Sequence, residues 1–340
     1  MDKKRTLSIK DIARLSGVSA ATVSHVMNKK GRYSKETEEK VNRIISQYGF
    51  QTNRAAKSLK SASSNMVGLI LPNLKNNFFS AIAVEAEHMF DEQDYSLLIC
   101  TTENDPEKEI RYFHKLDSLQ VDGIMCISAQ KMLDSSLLTR DIPVVLIDRT
   151  PVNTKQYHIV DSDAEEGIYN VTRLMIQRGH RHIIFISSYL ASYVPTSRSH
   201  GYVRAMQEKL LPCGPDTIIQ LPKGESLEQA EVGVLDYISR GNPVDAIICT
   251  SDNQAIGAMT ALKRLNLRIP EDVAVVGFDN QIQSSLCTPA LSTLARDPHE
   301  MAERASDVLL RLIRGEEDVP ERITIGTHLI ERETTYTPTE

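Results

Sequence analysis

The sequence predicts a small all-α helix-turn-helix headpiece followed by a large α/β body of two Rossmann-like lobes. Three observations lead there. The cations crowd one end: residues 1–60 hold 14 lysines and arginines against 5 acidic residues, leaving the rest of a chain of formal charge −6 at −15. The stretch SIKDIARLSGVSAATVSHVMNKK, 8–30, carries two helical periodicities broken at a glycine. Beyond residue 66, short continuous apolar runs alternate with helical patterns in two successive series.

In the head, Ser8 with Asp11 three residues on forms a short capping-box pattern. Ile9, Ile12 and Ala13 then share one helical face. Gly17 supplies the turn, and Ser19 caps a second helix with Val23, Val26 and Met27 inward. A third helix starts at Ser34, with Glu36, Glu38 and Glu39 near its positive end and Val41, Ile44 and Ile45 inside. Two helices across a tight turn, buttressed by a third, are a helix-turn-helix.

The outer face of the second helix then carries Ala20, Ala21, Thr22, Ser24 and His25. Small side chains let backbone approach a major-groove floor, alanine methyls suit thymine methyls, and an imidazole N–H can donate to guanine. The hydroxyls of Ser19, Thr22 and Ser24 suit phosphate oxygens. Asn28, at the end of that helix, completes the headpiece's candidate DNA contacts. The next segment, NRAAKSLKSASSN (53–65), has good helix formers but one large apolar side chain, too little for an isolated helix. Arg54, Lys57 and Lys60 mark it as a hinge that folds on DNA, with Ala56 in contact and Leu59 as a minor-groove wedge.

In the body, MVGLILP, YSLLICTT, GIMCIS and IPVVLID form the first strand series, and HIIFISS, TIIQLP, DAIICTS and VAVVGFD the second. Ligands of such sheets gather beyond the carboxyl ends of the strands. There stand Phe78 and Phe79, Asp148 and Arg149, Asp252 and Asp279, with Arg198 opening the helix after HIIFISS. Aromatic faces, carboxylates and guanidiniums suit a small polar ring; core packing is the plainer role for the two phenylalanines, and a turn cap for Asp279.

SIKDIARLSGVSAATVSHVMN followed by NRAAKSLK resembles the LacI/GalR family of bacterial transcription regulators. VDGIMCIS, GHRHIIFI, IPEDVAVVGFDN, TPALSTL and HLIERE extend the likeness over nearly the whole chain. The resemblance implies a periplasmic-binding-protein-like body that dimerises through its lobes and holds an effector between them. In the family, positions matching Asp148, Arg198, Asp252 and Asp279 commonly touch effector, and Phe79 matches a stacking aromatic. The expected division is headpiece 1–52, hinge and linker 53–65, and body 66–340. Within the body, lobe 1 takes 66–161 plus 292–322 and lobe 2 takes 162–291 plus 323–340.

The partners expected are a pseudo-palindromic DNA duplex, a small-molecule effector, and a second copy in a homodimer or higher oligomer. The stretch SSYLASYVPTSR (187–198) departs from relatives, with Ser192 and Val194 where further polar contacts would be. The expected effector is therefore a sugar or sugar phosphate, with a purine-type corepressor as the alternative. No catalytic residue, metal or cofactor is expected. The chain lacks G-x-G-x-x-G after a strand, a P-loop and a G-x-S-x-G elbow, and HEMAE (299–303) misses the second histidine of a zinc helix. The competing reading is a sugar-active enzyme or binding protein with an incidental basic head. Five scattered cysteines read as reduced packing thiols, no secretory leader or membrane span is expected, and the cytoplasm is the expected compartment.

Overall fold

A computed structural model describes residues 7–27, 31–50, 63–149, 151, 156–188, 197–222 and 226–335. Its backbone separates into two compact units, up to Ser64 and from Asn65 onward.

The first unit is built of three helices, α1 (Ile9–Ser16), α2 (Ala20–Met27) and α3 (Lys35–Tyr48). Each starts on a serine. Ser8 Oγ accepts the Asp11 N–H at 3.3 Å while the Asp11 carboxylate accepts the Ser8 N–H at 2.9 Å, closing a capping box. Ser19 Oγ accepts from Thr22 N at 3.0 Å, and Ser34 Oγ from Thr37 N at 3.2 Å. The α1–α2 turn passes through Gly17 at φ 67°. Ile12, Ala13, Val23, Val26 and Val41 form the core, with Met27, Ile44 and Ile45 packed on it. Ile9 is an exception to the expected face: at the first helical position it lies outside that core, 37% exposed.

The second unit contains two six-stranded sheets. The first pairs β1 (Met66–Leu71), β2 (Ser96–Thr101), β3 (Gly123–Cys126), β4 (Val144–Ile147), β5 (His158–Ser162) and β11 (Arg322–Ile325) in the order β11-β5-β4-β3-β1-β2, all parallel. The second pairs β6 (Ile183–Ser188), β7 (Ile218–Leu221), β8 (Ala246–Cys249), β9 (Ala274–Phe278), β10 (Ser292–Ala295) and β12 (His328–Ile330) in the order β12-β10-β9-β8-β6-β7. Only β12 among these runs antiparallel.

Helices cover both faces of each sheet, which is why the strands read as unbroken apolar runs. In lobe 1, α4 (Asn77–Asp91) and α11 (Pro298–Ile313) pack on one face and α5 (Pro106–Ser118) on the other. In lobe 2, α6 (Ala164–Gln177) and α7 (Ser197–Glu208) lie opposite α8 (Leu227–Ser239) and α9 (Asp252–Arg264). A short α10 (Ile282–Leu286) follows β9.

The chain passes between lobes after β5, after β10 and after β11. Asp163 ties two of these crossings: its N–H donates to Ile325 O at 3.1 Å, and its carboxylate accepts from Thr327 N at 2.6 Å. This corrects the expected division. Residues 292–295 pair with β9 and so belong to lobe 2, and β11, expected to be cut at 322, lies wholly in lobe 1. Strands β5, β10 and β11 interleave Asp161, Ser292, Thr293, Arg322 and Thr324 with short apolar stretches, and β12 is only three residues long, so no apolar run announced these four. Among the described residues, no helix is long and apolar enough to cross a membrane.

Candidate functional site: a nucleic-acid face and an interlobe cleft

On α2, Val23 and Val26 are buried while Ala20, Ala21 and His25 are exposed and Thr22 and Ser24 half-buried. The face with small side chains is thus the outer one. Ser19 and Thr22 hydroxyls meet each other at 2.9 Å besides capping the helix, so capping claims part of their capacity. The His25 ring lies against Gly31, where a Cβ would stand 2.9 Å from Nδ1. Asn28, Arg54, Ala56, Lys57, Leu59 and Lys60 lie outside the described residues.

In the body, the carboxyl ends of β1, β4, β8, β9 and β10 deliver Phe78 and Phe79, Asp148 and Arg149, Asp252, Asp279, and Arg296. Arg296, absent from the sequence expectations, is the hub. Its side chain is 2% exposed. Its Nε donates to Asp279 Oδ1 at 2.9 Å, its Nη1 pairs with Asp148 of the opposite lobe, and its guanidinium carbon stands 3.5 Å from the Phe78 ring centre. Asp148 and Asp279 both adopt left-handed backbone, φ 63° and 98°. Such strain in non-glycine residues gathers at functional sites. Burial works against the Asp148 charge, but Arg296, then Arg198 and Arg149, overcome it and hold the carboxyl below its ordinary range.

Arg198 opens α7 and enters the cleft beside them. Its Nη1 donates to Thr250 O at 2.7 Å, Nη2 lies 3.7 Å from Asp148, and its guanidinium stacks 3.8 Å over Phe278. Arg149 donates Nη1 to Asn104 Oδ1 at 2.5 Å and stands 5.7 Å from the Phe79 ring centre.

Three expected cleft residues take supporting places instead. Phe78 and Phe79 belong to the lobe 1 core, and the face of Phe78 is covered by Arg296. Asp252 is fully buried: Oδ1 accepts from Thr293 Oγ1 and Oδ2 from Gln281 N, each at 2.6 Å. Burial, aided by the neighbouring Asp279 charge, pushes its carboxyl up to about 7. Gly277 leaves room for it, since a Cβ there would come 2.2 Å from Oδ1. The turn so held sends the Gln281 side chain across to Asn76 Oδ1 of lobe 1 at 3.4 Å, and Asn76 in turn caps α4 by accepting the Phe78 N–H.

Sequence reasoning missed Arg296, Gln281 and Asn104. Arg296 had a usable signal, since it directly follows LSTLA; assigning that run to lobe 2 would have put a guanidinium at a sheet mouth. Gln281 and Asn104 are loop amides with no pattern to single them out.

Comparison with known proteins agrees with this arrangement. Residues 8–53 match "Bacterial regulatory proteins, lacI family" and residues 172–335 match "Periplasmic binding protein-like domain". The chain is 31% identical to the HTH-type transcriptional repressor PurR of Vibrio atlanticus (strain LGP32) over 97% of its length and 99% of that protein. It is likewise 31% identical to the HTH-type transcriptional regulator RegA of Clostridium saccharobutylicum, covering 96% of this chain and 99% of that one. In fold it resembles the lac repressor dimer bound to operator and the anti-inducer ONPF, with TM-score 0.86, 22% identity, and 98% and 100% of the two chains covered. A DNA-reading head joined to a two-lobed body, and relatives of this identity along nearly the full chain, place the protein in the LacI family of bacterial regulatory proteins.

Proposed function

We propose that this LacI-family regulator is a homodimeric repressor that binds a pseudo-palindromic DNA duplex and responds to a small polar effector held between its lobes. The effector proposed is a sugar or sugar phosphate. The observation that carries the reading is the ion pair from Arg296 to Asp148 and Asp279, which joins the two lobes at the mouths of both sheets. A ligand that touches these groups alters the cost of lobe closure, and its differential affinity for open and closed states is what reaches the head. Arg198, Arg149, Asp148 and Asp279 are the proposed contacts; Phe79, Asp252 and Phe78 support them from behind. No catalytic step is assigned to the cleft. The hinge segment 53–65, with Leu59 as the proposed minor-groove wedge, is the proposed link between lobe closure and DNA contact.

One head reads few base pairs, so two heads of a dimer spaced about 34–36 Å apart on a palindrome give the specificity. Selection of duplexes by the full-length protein, followed by gel shift, tests this. A palindromic consensus is expected, with affinity falling on the order of a thousandfold between 50 and 200 mM salt. Recovery of no consensus sinks the reading.

A further inference from the structure

The charges of the cleft do not balance, and the imbalance deepens the effector reading on which it rests. Three guanidiniums, Arg149, Arg198 and Arg296, surround Asp148, and Asp279 is the other carboxylate bound to this cluster. The remaining nearby acids are held by other groups, although buried Glu109, its carboxyl raised by desolvation, still feels Arg149 from beyond ion-pair distance. Asp161 is held by Arg322 at 3.0 Å and by Thr324. Glu109 lies buried under Ser128 and Ala129, and both oxygens of Asp252 are taken from behind.

Arg296 is fully engaged by its two aspartates, and Arg198 is turned toward Thr250 and Phe278. Arg149 differs. Among the described residues no carboxylate lies within 4 Å of it, and its one hydrogen-bond partner is the neutral Asn104 oxygen. Asn104 fixes one edge of the guanidinium, and the Phe79 ring centre stands 5.7 Å from its carbon. The other donors of a guanidinium's five form a fork matched to carboxylate or phosphate.

The geometry points to an effector that carries an anionic group, phosphate or carboxylate, seated on Arg149 at the lobe 1 rim while Asp148, Asp279 and Arg198 meet its hydroxyls. The site therefore selects a phosphorylated or acidic sugar over the neutral one. A neutral sugar would leave the surplus positive charge in a partly buried cleft, and a charge-assisted pair is roughly twice as strong as a neutral hydrogen bond.

The test uses the full-length protein in thermal unfolding. Inorganic phosphate is titrated against chloride at equal ionic strength, beside neutral hexoses, pentoses and their phosphate esters. A saturable rise in melting temperature with phosphate is expected, with apparent affinity weakened about tenfold or more in Arg149→Gln. The basic head also attracts phosphate, but a response there is untouched by Arg149→Gln, and an equal response in that variant overturns the assignment. Asn104→Ala keeps every charge and loses only alignment, so a smaller loss is expected from it; should Arg149→Gln fail to fold, wild-type affinity in Asn104→Ala overturns the seat. Protection by a neutral sugar without any by phosphate also overturns it, yet leaves the effector-controlled regulator standing. Protection by neither removes both, while operator binding is scored separately by gel shift.

Discussion

Arg296, carried to the cleft by the last parallel strand of lobe 2, forms its ion pair with Asp148 at the end of β4 in lobe 1. Both side chains are nearly inaccessible, at 2% and 8% exposure. An arginine buried against two carboxylates is costly to remove from one side only, because the acids left behind have no partner. Arg296→Met should therefore lower unfolding free energy by about 3–5 kcal/mol in urea denaturation. A loss under about 1 kcal/mol would mean that the cleft opens readily to water and that the pair adds little.

Asp252 gives the body a pH dependence of definite sign. Its carboxyl is pushed from the ordinary 3.8 up to about 7 in the folded chain, chiefly by burial. Between those values the folded state holds a proton that the unfolded state has released, so this residue's contribution is largest in acid and fades as pH rises toward 7. Urea midpoints measured from pH 5 to pH 8 should show a fall that is absent in Asp252→Asn. Parallel curves for the two proteins would refute the assignment.

Gly277→Ala tests the turn that Asp252 holds. The new methyl would meet Oδ1, whose position is fixed by Thr293. Destabilisation of about 1–3 kcal/mol is expected, read from the shift in denaturant midpoint at constant slope. An unshifted midpoint would show that the carboxylate can move aside.

His25→Ala should cost about 1–3 kcal/mol on the selected operator and flatten the preference at one base pair of each half-site, with weak binding to random duplex unchanged. Competition binding against single-base operator variants measures this. A uniform loss across all sequences would reassign His25 from base reading to the packing it makes against Gly31.

The parts legible in the sequence are those where one local force dominates. Ser8, Ser19 and Ser34 each announce a helix because capping is settled within three residues, and the eight apolar runs announce strands because both faces are covered. The four strands that went unread, β5, β10, β11 and β12, depend on partners far along the chain: Arg322 and Thr324 sit in β11 because Asp161 of β5 binds both. The cleft was half legible for the same reason. Strand ends pointed to Asp148 and Asp279, but only reading the half-polar run LSTLA as a strand would have brought in Arg296, 148 residues from Asp148, between them.

Three chain segments cross between the lobes, and Asp163 bolts two of them together. A triple tether of that kind resists sliding and shear but still permits rotation about the line it defines. Any molecule wedged at the far rim acts with a long lever arm, so a small displacement there becomes an angular swing of one half-body against the other. The sensor's gain is set by how far the bound molecule sits from that axle, and lengthening one tether by a few residues should disconnect sensing from response while leaving ligand affinity nearly intact.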